Sequence, residues 1–207
     1  MLKPRRAVQP SSRDRLRESA KKLFAQRGFV RTTTAEIARE ARTSQSQLIK
    51  HFGSKEGILQ AILEHTWREI NPALRIATQR RRSPLEKLQM AMEMVLGFLE
   101  RDSHLRTVYL LESRRSRGSD DVVAVSEGFL QFVGFLDSIL KEMVERGELA
   151  PGLHPQAVRA GLCGAMEEML RDHMLAQESD FPASYTEADC HQVFSHLVSG
   201  CLRRQGA

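Results

Sequence analysis

Residues 36–55 read EIAREARTSQSQLIKHFGSK, and this stretch decides the fold. Its outline is that of two short helices joined by a tight turn, a shape that places its second helix in the major groove of DNA. Arg42 stands in the turn, where such motifs often carry glycine. The outline alone therefore leaves two interpretations open: a DNA-reading motif, or a helix pair that only resembles one.

The composition is that of a folded chain. Its 207 residues are 41% hydrophobic and 28% charged, which argues against wholesale disorder. Residues 160–166 form the longest apolar run, interrupted by glycines, so we expect no membrane partner. The basic N-terminus precedes no apolar segment, which predicts a cytoplasmic protein without a secretory signal. Three cysteines without CxxC spacing predict neither a disulfide framework nor a zinc site.

The positive charge lies in the N-terminal quarter. Residues 1–55 carry 14 Lys and Arg against 4 Asp and Glu, whereas residues 56–207 carry 17 against 22. A local excess of this kind is typical of a surface that binds a polyanion. A solvated basic surface without a partner is the alternative.

Helical periodicity runs through nearly the whole chain and predicts an all-α fold of about nine helices. Three short helices fall before Ser54, where a long fourth helix begins, and longer helices follow, including one from Val122 to about Gly147. One continuous bundle is the alternative to two domains. The predicted division is a flexible basic arm at 1–11, a three-helix helix-turn-helix DNA-binding domain at 12–55, and a helical ligand-binding and dimerisation domain at 56–204.

The third helix begins with side chains suited to reading bases. Gln45, Ser46 and Gln47 occupy its first turn, and glutamine can pair with adenine through two hydrogen bonds. Lys50 can reach guanine or phosphate, and the capped start of the fourth helix favours an anion. Ordinary polar surface is the alternative for each residue alone. The candidate DNA-binding residues are Thr33, Arg42, Ser44, Gln45, Ser46, Gln47, Lys50, His51 and Lys55.

Together these residues resemble a known pattern. TTTAEIAREARTSQSQLIKHFGSKEGIL at 32–59 and LRESAKKLFAQRGF at 16–29 are similar to the DNA-binding segment of the tetracycline-repressor-like (TetR) family of bacterial regulators. The resemblance covers residues 12–63. It implies a homodimer whose two heads bind a pseudo-palindromic DNA operator and whose body binds a small molecule.

Three positions depart from the family pattern. Arg42 replaces the turn glycine, Thr43 an apolar residue, and Ile49 a tyrosine that contacts phosphate. If the turn needs a positive φ, a non-glycine residue costs about 1 kcal/mol there. We expect Arg42 to lie beside the DNA backbone and to replace part of the missing tyrosine contact.

Residues 56–204 indicate their function less clearly than the DNA-binding segment does. Methionine and aromatic side chains suit an adaptable apolar pocket, although such stripes are also typical of plain core. The predicted ligand-binding residues are Met90, Met94, Phe98, Tyr109, Phe129 and Phe132. The resemblance places the dimer interface on the last two helices, where small residues permit close approach. The predicted interface residues are Gly161, Gly164, Ala165, Val193, Leu197, Gly200 and Cys201.

Enzymatic motifs are lacking. Cys190, His191 and His196 fall on one predicted helix without a further ligand at metal-binding spacing, and no phosphate-binding glycine loop or GxSxG motif occurs. We expect no enzyme, no cofactor and no metal. The predicted function is a ligand-responsive dimeric repressor of a nearby operon, released by a small, partly apolar effector of unknown identity. The alternative is a DNA-binding regulator controlled by a protein partner, with no small-molecule pocket.

Overall fold

The computed structural model describes residues 10–112 and 125–202, and these ranges form nine α-helices. The one β feature in them is an isolated bridge between Leu149 and Leu202. The all-α prediction is confirmed. No helix in the described ranges is long and apolar enough to cross a membrane. The helices are α1 Ser12–Arg27, α2 Thr34–Glu40, α3 Gln45–Phe52, α4 Lys55–Thr78, α5 Pro84–Arg101, α6 Ser103–Glu112, α7 Glu127–Glu145, α8 Pro155–Glu178 and α9 Glu187–Gly200.

Two parts of the prediction lie outside the described residues. These are positions 1–9 of the predicted basic arm and the predicted start of the long helix at Val122. In the described part, α7 begins after Ser126, whose hydroxyl accepts a hydrogen bond from the amide of Phe129. Serine is a strong helix cap for this reason.

The head, α1 to α3 with the start of α4, closes around one apolar core. Each helix starts at a residue whose hydroxyl accepts a backbone N–H: Ser11, Thr33, Ser44 and Ser54. Caps of this kind satisfy amides that the first helical turn leaves free. The buried side chains that join these helices are Leu16, Phe24, Ile37, Leu48 and Ile58.

Helix α4 runs from the head into the body and does not end at the proline inside it. It continues through Pro72 to Thr78. Proline removes one backbone hydrogen bond, but Ile70 and Leu74 on either side are buried, so packing holds the helix together. The side-chain amide of Asn71 adds a bond to the carbonyl oxygen of Gly128 at 2.9 Å.

Helix α7 lies against α4 at very short distance. A Cβ atom on Gly128 would come within 2.5 Å of the Cβ of Trp67, so only glycine allows this approach. The amide of Gly128 donates to the carboxylate of Glu64 at 2.9 Å. Beside this crossing, Trp67 stacks on Phe132 with a centroid distance of 4.7 Å and also contacts Phe129.

A second joint links head and body where α1 packs against α6. The ammonium of Lys21 lies 2.6 Å from Asp102, whose other oxygen accepts the amide of Leu105 at the start of α6. Asp102 therefore caps the start of α6 and holds α1 at the same time. Its pKa lies below the ordinary value: burial opposes ionisation, but the hydrogen bonds from Lys21 and Leu105 outweigh it.

Candidate DNA-binding interface

The turn between α2 and α3 is a Schellman motif with arginine in the glycine position. The amide of Thr43 donates to the carbonyl of Ala38 at 2.9 Å, and the amide of Arg42 donates to that of Arg39 at 3.1 Å. Arg42 has φ of 52°, the one non-glycine residue in the described ranges with positive φ. The turn does need a left-handed residue, and the exposed arginine adopts that conformation at a cost of about 1–2 kcal/mol.

Helix α1 fixes the same turn from behind. The Nε of Arg15 donates to the carbonyl oxygen of Ala41 at 3.2 Å, and its Nη1 donates to that of Pro10 at 2.9 Å. Ala41 is the C-cap residue of α2. This contact satisfies a carbonyl that the helix end leaves open, and the sequence analysis did not identify Arg15.

Helix α3 turns a polar face outward. Leu48 is fully buried, whereas Gln45, Ser46 and Lys50 are exposed. The hydroxyl of Ser44 caps the helix by accepting the amide of Gln47, and it lies 2.9 Å from the hydroxyl of Ser46. Gln45 and Ser46 place hydrogen-bond donors and acceptors at the N-terminal end of the helix, which is the end that contacts base edges in helix-turn-helix proteins, and Lys50 lies one turn further on.

Two further candidates, Thr33 and His51, lie around α3 and already have partners within the head. Thr33 forms a capping box with Glu36, to which its hydroxyl donates at 2.8 Å. Bonds from the amide and hydroxyl of Thr33 hold the pKa of Glu36 below its usual value. The Nε2 of His51 lies 3.0 Å from the hydroxyl of Ser12, which fixes the ring next to the start of α1.

The structure gives Lys55 a contact that the sequence did not predict. Its ammonium donates to the carbonyl oxygens of Phe29, Val30 and Thr32 at 2.9, 3.4 and 3.0 Å, and lies 4.4 Å from the ring centroid of Phe29. These bonds tie the loop between α1 and α2 to the start of α4. Since an ammonium has three donors, a phosphate contact by Lys55 requires it to exchange one of these carbonyls.

The junction between α3 and α4 is equally tight. A Cβ on Gly57 would lie 1.9 Å from the carbonyl oxygen of Phe52, so no larger residue fits without movement. Helix α3, the candidate recognition helix, is thus held at both ends: by the Schellman turn before it and by the close contact of Gly57 with Phe52 after it. Gly57 belongs to the quoted stretch FGSKEGIL, but its spacing alone did not indicate a close approach.

Within residues 10–112 and 125–202, the predicted ligand-binding residues have different surroundings. Phe98 lines a cleft of about 260 Å³ between α1, α4 and the α5–α6 corner, together with Arg17 and His65. Tyr109, Phe129 and Phe132 surround Trp67 instead, and Phe132 is fully buried. Met90 and Met94 are half-buried on α5. The arrangement matches the plain-core alternative for Phe132, while the ligand role of the set stays a prediction.

Most of the predicted dimer residues lie on the surface of α8 and α9. Val193 and Leu197 are 50% and 42% exposed, although both are large and apolar. Gly161, Gly164 and Gly200 are exposed with open space where a Cβ would lie. Ala165 and Cys201 are half-buried. An apolar face with small residues suits close helix packing against a second copy, and the dimer assignment stays a prediction.

The described residues bring no three His, Cys, Asp or Glu side chains together as a metal site requires. Burial raises the pKa of the Cys163 thiol to about 11, with smaller effects of Glu167 and Arg159. A thiol with that pKa is a poor nucleophile at neutral pH. The features that stand out are those of the head: a rigidly held helix pair with a polar outer face and a net positive charge. They define a helix-turn-helix DNA-binding protein.

Comparison with known proteins supports this class and gives the family. Residues 16–62 match the family model described as "Bacterial regulatory proteins, tetR family", and residues 68–198 match "YsiA-like protein, C-terminal region". The second match spans more than half of the chain. The chain belongs to the TetR family of DNA-binding transcriptional regulators, which confirms the resemblance and the expectation of a protein that is not an enzyme.

Individual relatives are distant. The chain is 25% identical over 151 residues to nucleoid occlusion factor SlmA of Marinobacter nauticus, covering 73% of this chain and 75% of that protein. It is 23% identical over 184 residues to the fatty acid metabolism regulator protein of Bacillus subtilis, covering 88% and 92%. The structure of FadR from Bacillus subtilis in complex with stearoyl-CoA has a TM-score of 0.77 at 20% identity, covering 89% of this chain and 96% of that one.

Proposed function

We propose that this protein is a homodimeric repressor whose α3 helices read a pseudo-palindromic operator and whose body binds an acyl thioester of coenzyme A that releases it from DNA. The observation that carries the DNA part is the polar first turn of α3, in which Ser44, Gln45 and Ser46 are exposed; the Schellman turn holds it on one side and the contact of Gly57 with Phe52 on the other. Rigid support of the recognition residues lowers the entropy lost when they bind.

The body offers a route from effector to head. Helix α4 begins in the head at Lys55 and carries Trp67, which belongs to the aromatic cluster of the body. The cluster with Phe129 and Phe132 is close-packed, so an apolar chain enters it only by parting α7 from α4. A ligand that binds the parted arrangement better shifts the heads away from their DNA spacing. The relatives named for fatty acid metabolism and for a stearoyl-CoA complex supply the choice of an acyl thioester.

The operator is tested by selecting bound genomic fragments with the full-length protein. We expect an enriched palindrome with two half-sites about one helical turn apart. Lys50→Ala should weaken binding to it, while Glu145→Ala, on the body helix α7, is the matched control that leaves it unchanged. If no palindrome is enriched, the DNA-reading assignment of α3 is wrong.

The effector is tested through Trp67, the single tryptophan of the chain. Because Trp67 lies against Phe129, Phe132 and Tyr109, an acyl chain in the cluster should change its emission. We expect saturable quenching by stearoyl-CoA at the concentrations that release the operator, and none by coenzyme A alone. Release that requires an added protein and not a thioester would favour the partner-controlled alternative.

A further inference from the structure

The first residue of the recognition helix is held by a residue of the helix before it. The side-chain nitrogen of Gln45 donates to the hydroxyl oxygen of Thr34 at 2.8 Å, across the turn from α3 to α2. Thr34 is half-buried at the first position of α2, whereas Gln45 is exposed at the first position of α3. One end of the Gln45 amide is therefore fixed to the scaffold and the other is free.

We infer that Thr34 is a positioning residue that holds the Gln45 amide with its nitrogen towards α2, the orientation found in the structure, and thereby favours adenine at one position of each half-site. The inference rests on the proposed DNA-reading role of α3. With the nitrogen turned towards α2, the carbonyl oxygen of Gln45 is the group presented outward, and the nitrogen keeps one further N–H.

This orientation matches one base better than the others. Adenine offers an N6 amino donor to the carbonyl oxygen and an N7 acceptor to the remaining N–H of the amide. Cytosine offers only its amino donor, and the O6 of guanine or the O4 of thymine would face the carbonyl oxygen and be repelled. Adenine should therefore be preferred, with cytosine second.

Removing the Thr34 hydroxyl frees the amide to rotate. The amide then also reaches the opposite orientation, in which its NH₂ group donates to guanine or thymine. In addition, the side chain of Gln45 loses more conformational entropy when it binds adenine. Fixing a mobile side chain is worth about 0.5–1.5 kcal/mol, so adenine-over-guanine discrimination should fall roughly two- to tenfold in Thr34→Val. Thr34 contacts no phosphate in this scheme, so the salt dependence of binding should not change.

The experiment selects sequences from a randomised DNA library with four full-length proteins: wild type, Thr34→Val, Thr34→Ser and Gln45→Ala. Wild type should enrich adenine at one half-site position, Gln45→Ala should lose that preference, and Thr34→Val should admit guanine there. Thr34→Ser keeps a hydroxyl and should restore the wild-type preference. Thermal unfolding of each variant checks that the head is intact.

The possible failures are distinguishable. An enriched palindrome with the same base preferences in wild type and Thr34→Val would overturn the positioning role alone. Guanine or thymine as the wild-type preference at the position lost in Gln45→Ala would overturn the assigned amide orientation. A library that yields no enriched sequence would refute the proposed function, and this inference with it.

Discussion

Replacing Arg42 by glycine should make the protein more stable and its DNA binding weaker. Arg42 has φ of 52° in the Schellman turn, a conformation that costs a non-glycine residue about 1–2 kcal/mol. Glycine removes that cost but adds about 0.5–1 kcal/mol of chain entropy to the unfolded state. The difference is a net gain in the free energy of unfolding of about 0–1.5 kcal/mol, or up to about 6 °C in Tm for a chain of this size.

The DNA effect has a different origin. If the exposed guanidinium of Arg42 lies beside a phosphate, its loss removes one ionic contact from each head. Each lost phosphate contact lowers the slope of log affinity against log salt by about 1, so a dimer should lose about 2. Fluorescence anisotropy with a labelled operator between about 50 and 200 mM salt measures this slope.

Two further substitutions separate strain from charge. Arg42→Lys keeps a cation in the same backbone conformation, so we expect wild-type stability and a retained salt slope. Arg42→Asn tolerates the left-handed region and has no charge, so it should behave like glycine on DNA. A glycine variant with lower stability would refute the strain argument. An unchanged salt slope in both uncharged variants would refute the phosphate contact.

Three other outcomes follow from the structure. Gly57→Ala places a Cβ 1.9 Å from the carbonyl oxygen of Phe52, so urea unfolding should show a loss of roughly 1–3 kcal/mol; an unchanged midpoint would mean the crossing relaxes freely. Asp102→Asn breaks the pair with Lys21 and should cost up to about 1 kcal/mol at pH 7. Because the folded pKa of Asp102 is lowered, that cost should shrink as pH falls from the ordinary aspartate pKa through the lower folded pKa, and a pH-independent cost would contradict it. Cys163, with its pKa raised to about 11, should react with iodoacetamide about 10-fold more slowly than an unperturbed thiol, because the smaller thiolate fraction outweighs the greater nucleophilicity of that thiolate; equal rates by mass spectrometry would refute the raised pKa.

In the proposed mechanism, the joint between Lys21 and Asp102 gives the body a second contact with the head. Asp102 caps α6 through the amide of Leu105 and holds α1 through Lys21, so a movement of α6 reaches the head by a path separate from α4. The two residues are 81 positions apart in sequence. No local sequence pattern identifies the two residues as partners, since each lies near several other charged residues with which it could form an ion pair.

The sequence alone determined the helices of the head. The third helix was predicted to start with Gln45, and α3 begins there; Thr33 lies three residues before Glu36, which is the spacing of the capping box that the two residues form. Both depend on groups within four residues of each other, so spacing along the chain is enough to predict them. The same locality made the need for a positive φ at Arg42 foreseeable, because a turn of this length between two helices has few backbone solutions.

Only the tertiary structure decided the contacts that cross between helices. Lys55 donates to three carbonyls of the α1–α2 loop, and Thr34 holds Gln45 across the turn. Gly128 allows α7 to touch α4 at Trp67. In each case the partner is chosen by the distance and angle between packed helices, and many other polar or small residues in the chain have the same local pattern. Local periodicity fixes where helices begin and end, but the packing of their faces determines which side chains meet.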